Sequence, residues 1–438
     1  MSPIAARYLV QPGGRLSGTV RVPGDKSISH RAVMLGSLAE GTTHVSGLLE
    51  GEDVLSTLGA FRAMGVRAQG PEQGELVVHG VGLHGLKAPG RPLDMGNSGT
   101  AMRLMAGILA GQAFESELVG DESLSKRPMK RVAEPLARMG AVIDTGEGGR
   151  PPLRIRGGRR LHGIDYAMPM ASAQVKSSLL LAGLYADGIT NVTEPAPTRD
   201  HTERMLRGFG YAVETSGPRI SLRGGGRLRA CDIDVPSDIS SATFFLVGAS
   251  IAPGSDLLIE HVGINPTRIG VLNILKLMGG DIELRNAREV GGEPVADIRV
   301  RHAQLRGIRI PEDQVPLAID EFPALFIAAA CADGETVLTG AHELRVKESD
   351  RIAVMASGLK RLGVAAQETP DGIVIRGGEI AGGEVDSQGD HRIAMSFAMA
   401  GLRATGAVTV NDCKNVATSF PGFAELAARA GLGISALA

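Results

Sequence analysis

The pattern of hydrophobic and polar positions repeats six times along the chain. In each repeat a polar cluster opens an Ala/Leu-rich stretch with helical spacing, which ends at a small-residue turn and is followed by a short β-branched stretch. Polar residues, a second helical stretch and another glycine complete the repeat. The small-residue turn that follows the first helical stretch ends at a glycine in each repeat: Gly41, Gly111, Gly188, Gly254, Gly334 and Gly406. This alternation predicts an α/β (α+β) fold built from six similar units.

A glycine also closes the second helical stretch of every repeat. Glycine is favoured just past the end of a helix because it adopts the left-handed backbone conformation at little cost. Six occurrences at matching places make chance spacing a poor explanation in this chain, although 60 of its 438 residues are glycine. The closing residues are Gly65, Gly140, Gly210, Gly279, Gly363 and Gly431.

The polar clusters before the first helices are the candidates for chemistry. A helix N-terminus offers unpaired N–H groups and the positive end of a dipole, so it suits anions, but Ser and Asp there are also ordinary helix caps. The clusters span residues 23–31, 94–103, 168–178, 236–243, 319–324 and 387–395. We interpret 236–243, which has no cation, as a cap. The clusters that carry Lys or Arg predict anion-binding sites.

Composition and charge narrow the function classes. The net charge is −2, only 3% of the residues are aromatic and Trp is absent, so a nucleic-acid binder is not expected. The longest apolar run, Ala324 to Ala332, is too short to cross a bilayer, and the N-terminus lacks the apolar core of a signal peptide. Three scattered cysteines predict a reducing, cytoplasmic setting without disulfides. The spacing of His and Cys predicts no metal site.

Individually, the charged motifs are ambiguous. Ser27 and Arg31 lie four residues apart and would share one helix face, where a hydroxyl and a guanidinium could bind one oxyanion. Lys347 and Arg351 have the same spacing, and that motif alone favours an exposed ion-paired helix surface. The two carboxylates of Asp320 and Glu321 precede an apolar helix, where a carboxylate is a normal cap.

Five motifs taken together carry a family resemblance. They are PGDKSISHRA, GNSGTAMRL, the KRP loop, RVKESDR and GDHR, which occur in order, and the match around them runs from about residue 7 to residue 425. In this combination the chain resembles the 5-enolpyruvylshikimate-3-phosphate (EPSP) synthases. The segments TRDHT and ASAQVKS resemble a divergent, class II-like subgroup that contains glyphosate-tolerant enzymes.

The resemblance implies a fold and a domain organisation. Two domains are expected, each made of three βαβαββ units in an inside-out barrel with pseudo-threefold symmetry. One domain would comprise 1–24 and 237–438, and the other 25–236, with the active site in the cleft between them. That expectation agrees with the six repeats in the pattern.

The resemblance also implies a reaction and its residues. The enolpyruvyl group of phosphoenolpyruvate would pass to the 5-hydroxyl of shikimate 3-phosphate, with release of phosphate and with no cofactor or metal. The expected catalytic residues are Asp320, as the base, with Lys26 and Glu348 as candidate acids. The expected shikimate 3-phosphate ligands are Lys26, Ser27, Arg31, Ser172, Ala173, Gln174, Arg199, Asp320 and Lys347. The expected phosphoenolpyruvate ligands are Lys26, Asn97, Gly99, Arg127, Gln174, Arg351, His391 and Arg392.

Three positions bear on how closely the chain follows the family pattern. Ala173 stands where many members have the second serine of a pair, so one hydroxyl contact is missing. Thr418 replaces a lysine that many members carry near the C-terminus. Gly99 keeps the small residue associated with sensitivity to glyphosate, and the resemblance therefore implies that glyphosate competes with phosphoenolpyruvate.

A monomer without nucleic-acid or membrane partners is expected.

Three alternative functions remain open from the sequence. A UDP-N-acetylglucosamine enolpyruvyl transferase would share the fold, but GDESLSKRP lacks that enzyme's usual reactive Cys, and Lys26 is followed by Ser instead of Asn. An RNA 3′-phosphate cyclase is a relative in fold that the neutral charge disfavours. The third is a non-catalytic phosphate-binding protein, against which the presence of Lys26, Asp320 and Glu348 argues.

Overall fold

The computed structural model describes residues 7–437, and the chain divides into two compact units. The first unit comprises the described residues up to Pro23, Pro236–Glu289 and the described residues from Pro294 onward. The second comprises Gly24–Val235 and the short segment Val290–Glu293. Each unit has a hydrophobic core of its own, so each buries apolar surface without relying on the other.

The described residues form many short strands. In chain order they are β1 (Arg7–Gly14), β2 (Ser17–Val20), β3 (Glu40–Ser46), β4 (Arg67–Glu72), β5 (Glu75–Val81), β6 (Leu93–Asp94), β7 (Ser116–Val119), β8 (Val142–Gly146), β9 (Arg150–Arg156), β10 (Asp165–Ala167), β11 (Ile189–Thr193), β12 (Glu214–Ser216), β13 (Arg219–Arg223), β14 (Ile233–Asp234), β15 (Asp256–Gly263), β16 (Asp281–Val290), β17 (Glu293–Arg301), β18 (Glu335–Leu338), β19 (Ala365–Thr369), β20 (Gly372–Arg376), β21 (Gly383–Asp386), β22 (Val408–Asn411) and β23 (Leu432–Leu437).

Helices alternate with these strands. They are α1 (Lys26–Leu38), α2 (Glu52–Ala63), α3 (Gly99–Ala110), α4 (Glu122–Ser125), α5 (Lys130–Arg138), α6 (Ala173–Gly183), α7 (His201–Gly208), α8 (Ile239–Ile251), α9 (Gly270–Leu277), α10 (Phe322–Ala330), α11 (Arg351–Arg361), α12 (His391–Ala400) and α13 (Phe423–Ala430). Short 3-10 helices occur at Glu147–Gly149, Glu312–Gln314, His342–Val346 and Lys414–Thr418. Among the helices of residues 7–437, none has both the length and the apolar character needed to cross a membrane.

The strands assemble into six small sheets. Five have four strands and one parallel pair, while the sheet ordered β18-β20-β19 has three antiparallel strands. In the sheet ordered β6-β7-β9-β8, β6 and β7 are parallel, while β9 is antiparallel to both β7 and β8. Helix α3 connects the parallel pair, and α5 precedes the β8–β9 hairpin. This sheet with its helices is therefore a βαβαββ unit, in which the first helix follows the first strand of the parallel pair.

Distant parts of the chain complete some of these units. Strand β2 pairs in parallel with β15, with Ser17 opposite Asp256, and β14 pairs in parallel with β3. The N-terminal β1 lies between β22 and β23 and is antiparallel to both. Residues far apart in the sequence therefore share these three sheets.

The structure confirms the α/β class and the helix boundaries that the pattern predicts. The six polar clusters precede or open α1, α3, α6, α8, α10 and α12. The six glycines that close the second helical stretches all have positive φ, between 76° and 118°, which is the conformation that favours glycine. The cap prediction for 236–243 is also correct, because the Asp238 side chain accepts a hydrogen bond from the Ser240 amide.

Candidate active site

The N-terminus of α1 holds the first group of expected site residues. The Asp25 carboxylate accepts a hydrogen bond from the Ile28 amide at 2.9 Å, so it caps the helix. Lys26 is the first helical residue, and its Nζ donates to Asp53 Oδ2 at 2.8 Å. The Lys26 side chain keeps 20% of its surface exposed, whereas Asp53 is buried. Asp53 therefore orients the ammonium group and leaves part of it accessible to a ligand.

Arg31 lies one turn further along α1 and is buried. Its Nη1 donates to the Ser27 carbonyl oxygen at 2.8 Å, its Nε to Thr202 Oγ1 at 2.6 Å and its Nη2 to Ser177 Oγ at 2.9 Å. Burial, helped by the positive charge of Arg199, lowers the pKa of Arg31 to about 10, although the carboxylates of Glu203, Asp25 and Glu293 oppose the shift. The guanidinium remains charged at neutral pH, and a bound anion would offset the cost of burying that charge.

His30 connects α1 to the start of α3. Its Nδ1 shares a hydrogen bond with Thr57 Oγ1 at 2.8 Å, and its Nε2 lies 3.4 Å from Ser98 Oγ. Burial holds the pKa of His30 well below its ordinary value, and the charges of Lys26 and Arg31 lower it further. The imidazole is therefore neutral at pH 7 and adds no charge to this part of the unit.

We expect His30 to make the protein less stable as the solution becomes acidic. The unfolded chain binds a proton at the ordinary His pKa, whereas the folded chain keeps the ring neutral, so lowering the pH favours unfolding. Between pH 7.5 and 5.5 the wild type should lose about 1.4 kcal/mol more unfolding free energy than His30→Gln. Urea unfolding at both pH values measures this difference, and equal losses in the two proteins would contradict the prediction.

The start of α3 holds a second group. Ser98 caps the helix by accepting a hydrogen bond from the Ala101 amide at 3.1 Å. Asn97 is fixed on both sides, because its Nδ2 donates to Asp121 Oδ2 at 2.7 Å and its Oδ1 accepts from Arg127 Nη2 at 2.7 Å. The KRP loop thus reaches back to the GNSG turn, and Arg127 is half-buried beside it.

Gln174 joins α6 to the same group. Its Oε1 accepts from Arg103 Nη1 at 2.5 Å, and its Nε2 donates to Thr100 Oγ1 at 2.9 Å. Ser172 caps α6 by accepting from the Val175 amide at 3.3 Å, so part of its hydrogen-bonding capacity serves the helix. The methyl group of Ala173, at the first position of α6, offers no polar contact.

Gly99 leaves room for two guanidinium groups. A Cβ atom at this position would lie 2.9 Å from Arg103 Nη1 and 3.3 Å from Arg127 Nη1. Because Arg103 is already bonded to Gln174 and to the Pro128 carbonyl, it could not move away without losing a contact.

The resemblance implies that Gly99 and Arg127 bind phosphoenolpyruvate, and on that expectation Gly99→Ala should weaken phosphoenolpyruvate binding. Displacing Arg103 and Arg127 would cost at least one charge-assisted hydrogen bond, so the KM for phosphoenolpyruvate should rise by about tenfold. Steady-state kinetics measures this. Gly59→Ala is a matched control, because a Cβ at that exposed glycine meets no atom within 4 Å. Equal KM values for the Gly99 variant and the control would contradict the expectation.

The first unit gathers three carboxylates around one buried arginine. Arg351 is fully buried and donates to Asp390 Oδ2 at 2.8 Å, to Glu348 Oε2 at 2.5 Å and to Asp320 Oδ1 at 3.2 Å. Burial alone would lower its pKa, but the negative charges of Asp390, Glu348 and Asp320 outweigh it and raise the pKa above the ordinary value. Asp390 also caps α12. We call Arg351 with these three acids the Arg351 cluster.

Two further cations border the Arg351 cluster. Lys347 Nζ lies 3.5 Å from Asp320 Oδ1, and Arg392 Nη1 donates to the Asp320 carbonyl oxygen at 3.2 Å. His391 opens α12 and is buried, while Lys347 and Arg392 are half-buried. Asp320 thus lies among three cations, and its side chain is 14% exposed.

Two predictions made from single motifs are wrong. Lys347 and Arg351 do not form an exposed helical pair, because Lys347 precedes the helix and Arg351 is its buried first residue. Glu321 does not cap α10 with its side chain. Instead, Glu321 accepts a hydrogen bond from Ser240, which also accepts from Arg268 at 2.7 Å.

Spacing could not have predicted several of these partners. Asp53 lies in a segment that no motif marks. Ser177 and Thr202 lie within ASAQVKS and TRDHT, but nothing in those segments pairs them with Arg31, which they reach only through tertiary packing. Arg268 likewise brings a cation to the 236–243 cluster, which has none in its own sequence. Asp390 and Arg103 lie inside the GDHR and GNSGTAMR motifs. Their charge at the start of an otherwise apolar helix is the feature of the sequence that could have identified them as site residues.

The remaining departures have plain structural outcomes. Thr418 ends the 3-10 helix Lys414–Thr418, and its hydroxyl donates to the Asn415 carbonyl oxygen at 2.7 Å, so it serves the local fold. Arg199 is half-buried in the segment before α7. Across residues 7–437, no group of three or more His, Cys, Asp or Glu side chains is arranged to hold a metal ion.

Comparisons with known proteins show to which family the chain belongs. The model of the EPSP synthase family (3-phosphoshikimate 1-carboxyvinyltransferase) matches residues 10–426. The 3-phosphoshikimate 1-carboxyvinyltransferases of Methylococcus capsulatus and Alkalilimnicola ehrlichii are 69% and 67% identical, over 98% of this chain and 98% and 96% of theirs.

Solved structures agree with that result. An EPSP synthase structure from Acinetobacter baumannii is 62% identical, with a TM-score of 0.89 over 98% of this chain and 99% of that one. The enolpyruvyl transferase NikO from Streptomyces tendae has the same fold, with a TM-score of 0.79, 18% identity and 99% coverage of both chains. The match over nearly the whole chain leaves one assignment: the chain belongs to the EPSP synthase family.

Proposed function

We propose that the protein transfers the enolpyruvyl group of phosphoenolpyruvate to the 5-hydroxyl of shikimate 3-phosphate, giving 5-enolpyruvylshikimate 3-phosphate and phosphate. The observation that carries the proposal is the position of the Asp320 carboxylate between Lys347 and Arg351, where a proton acceptor lies beside cations that can hold anionic substrates. The curated relatives bear the name of the same reaction. Neither the sugar-nucleotide transferase nor the RNA cyclase is favoured by these relatives.

Charge explains why the reaction needs so many cations. The two substrates carry two phosphates and two carboxylates, or about six negative charges at neutral pH. We propose that Lys26, Arg31, Arg127 and Arg199 of the second unit and Lys347, Arg351 and Arg392 of the first unit bind this charge. Fixed cations stabilise the charge that develops in the transition state without having to reorganise. The proposal requires both units to bind the same pair of substrates.

Proton transfer provides the remaining chemistry. We propose that Asp320 takes the proton of the 5-hydroxyl while the oxygen attacks C2 of phosphoenolpyruvate, and that Lys26 or Glu348 protonates the methylene carbon. This addition gives a tetrahedral intermediate with a methyl group. Loss of a methyl proton then restores the double bond as the C2–O bond to phosphate breaks and phosphate leaves. Ser27, Ser172, Gln174, Asn97 and His391 would supply hydrogen bonds to the substrates.

Product analysis tests this function directly. The purified protein is incubated with shikimate 3-phosphate and phosphoenolpyruvate, and phosphate release is measured together with 5-enolpyruvylshikimate 3-phosphate by mass spectrometry. We expect the two products in equal amounts. A parallel reaction offers UDP-N-acetylglucosamine as the acceptor, and turnover with that acceptor alone would overturn the proposal.

We further propose that glyphosate competes with phosphoenolpyruvate, because Gly99 leaves space beside Arg103 and Arg127. Raising the phosphoenolpyruvate concentration should therefore relieve inhibition. Adding glyphosate should increase the apparent KM for phosphoenolpyruvate while the maximal rate stays constant. Inhibition that is independent of phosphoenolpyruvate concentration would contradict this expectation. The monomeric state and the cytoplasmic location stay predictions from the resemblance.

A further inference from the structure

The buried guanidinium of Arg31 is held by hydroxyl groups. Its Nε donates to Thr202 and its Nη2 to Ser177, at 2.6 and 2.9 Å. Within residues 7–437, no carboxylate lies within ion-pair distance of Arg31. Neutral acceptors fix the direction of the guanidinium, and the carboxylates of Glu203, Asp25 and Glu293, which are not paired with it, offset only part of the cost of burying its charge. The charge therefore remains available to an anion.

The contrast with Arg351 makes this arrangement informative. Arg351 is equally buried but is paired with three carboxylates, which compensate its charge within the protein. Burial lowers the pKa of Arg31 to about 10, which is the direction expected for a buried cation whose charge is incompletely compensated. The plane of the Arg31 guanidinium is therefore set by two hydroxyl groups and the Ser27 carbonyl oxygen in place of an ion pair.

A buried ion-paired group holds these two hydroxyls together. The Thr202 hydroxyl donates to Ser177 Oγ at 2.7 Å. Their chain neighbours, Glu203 and Lys176, form an ion pair at 2.7 Å, and Lys176 also pairs with Glu194 at 2.8 Å. The Lys176 and Glu203 side chains are only 1% and 2% exposed, so the pair fixes α6 against α7 and with it the separation of the two hydroxyls.

We propose that Thr202 and Ser177 are positioning residues that aim the Arg31 guanidinium at the bound acceptor substrate and thereby set the KM for shikimate 3-phosphate. This inference rests on the proposed function. Neither hydroxyl needs to touch the substrate, because each acts through Arg31. Phosphoenolpyruvate binding and the proton transfers should depend little on them, since the contacts of Asn97, Gln174 and the Arg351 cluster are separate from this network.

The test compares Thr202→Val, which keeps the side-chain shape but removes the acceptor, with Thr202→Ser, which restores it. A hydrogen bond to a charged group contributes more free energy than one between neutral groups. Thr202→Val should therefore raise the KM for shikimate 3-phosphate by about 10- to 100-fold. The KM for phosphoenolpyruvate and kcat should stay within about threefold, and Thr202→Ser should recover most of the wild-type KM. Ser177→Ala should act in the same direction and provides a second variant if Thr202→Val folds poorly.

A matched control separates positioning from general loss of a buried hydroxyl. Thr190 is buried on β11 of the same unit, and its hydroxyl has no hydrogen-bond partner among the described residues. Thr190→Val should leave the KM for shikimate 3-phosphate unchanged. An unchanged KM in both Thr202→Val and Ser177→Ala, or a KM that Thr202→Ser fails to recover, would overturn the inference.

Calorimetric binding of shikimate 3-phosphate distinguishes the two proposals. A wild type that binds shikimate 3-phosphate but makes no product would defeat the proposed function, while weaker binding by Thr202→Val would still support the positioning role. Active wild type with equal affinity in both proteins would defeat the positioning role alone.

Discussion

Replacing Asp320 by Asn is expected to lower kcat by about 10²- to 10⁴-fold, the usual contribution of a positioned general base. The amide has nearly the same size and can still accept a hydrogen bond from Arg351, but it cannot take the proton of the 5-hydroxyl. The KM values should change far less than kcat, because the cations that surround position 320 remain in place. Phosphate release with both substrates present measures the loss.

The control for this variant is Asp313→Asn. Asp313 is exposed in the 3-10 helix Glu312–Gln314, in the same unit and close in sequence, but outside the Arg351 cluster. It should retain wild-type kcat. A near-wild-type kcat for Asp320→Asn would show that another group takes the proton, and the proposed mechanism would then be wrong.

The parts of the fold that depend on local chemistry could be predicted from the sequence. Gly65 and Gly140 end helices because the left-handed conformation is favourable for glycine, and Asp25 and Ser98 begin them because their side chains accept from backbone amides. These signals act within a few residues. Their recurrence gave the six units and the places where helices begin.

Long-range partners could not be predicted in that way. Ser177 and Thr202 meet Arg31 across 146 and 171 residues of sequence, and Asp53 meets Lys26 across 27. No spacing rule links such residues, since their contacts follow from how α1, α2, α6 and α7 pack. The same limit explains the incorrect prediction of an exposed Lys347–Arg351 pair, because burial of Arg351 depends on Asp390, which is 39 residues away.

Replacing Arg351 by Leu is expected to destabilise the protein by about 3–5 kcal/mol, the cost of breaking a buried ion pair from one side. Asp390 is fully buried and accepts hydrogen bonds from Nε and Nη2 of Arg351. In the variant its negative charge would stay buried without a partner guanidinium. Asp320 and Glu348 would lose the same partner. Urea unfolding, followed by circular dichroism, measures the change in unfolding free energy.

Arg301→Leu is the matched control for that loss. Arg301 forms two hydrogen bonds to Asp281 at 2.8 and 3.0 Å, but the side chains of both residues are more than 40% exposed. Water can replace such a contact, so the control should lose far less unfolding free energy than Arg351→Leu. A loss for Arg351→Leu as small as that of Arg301→Leu would mean that the three carboxylates do not depend on Arg351 for their burial. A large loss would mean that Arg351, which we propose as a phosphoenolpyruvate ligand, also stabilises the fold.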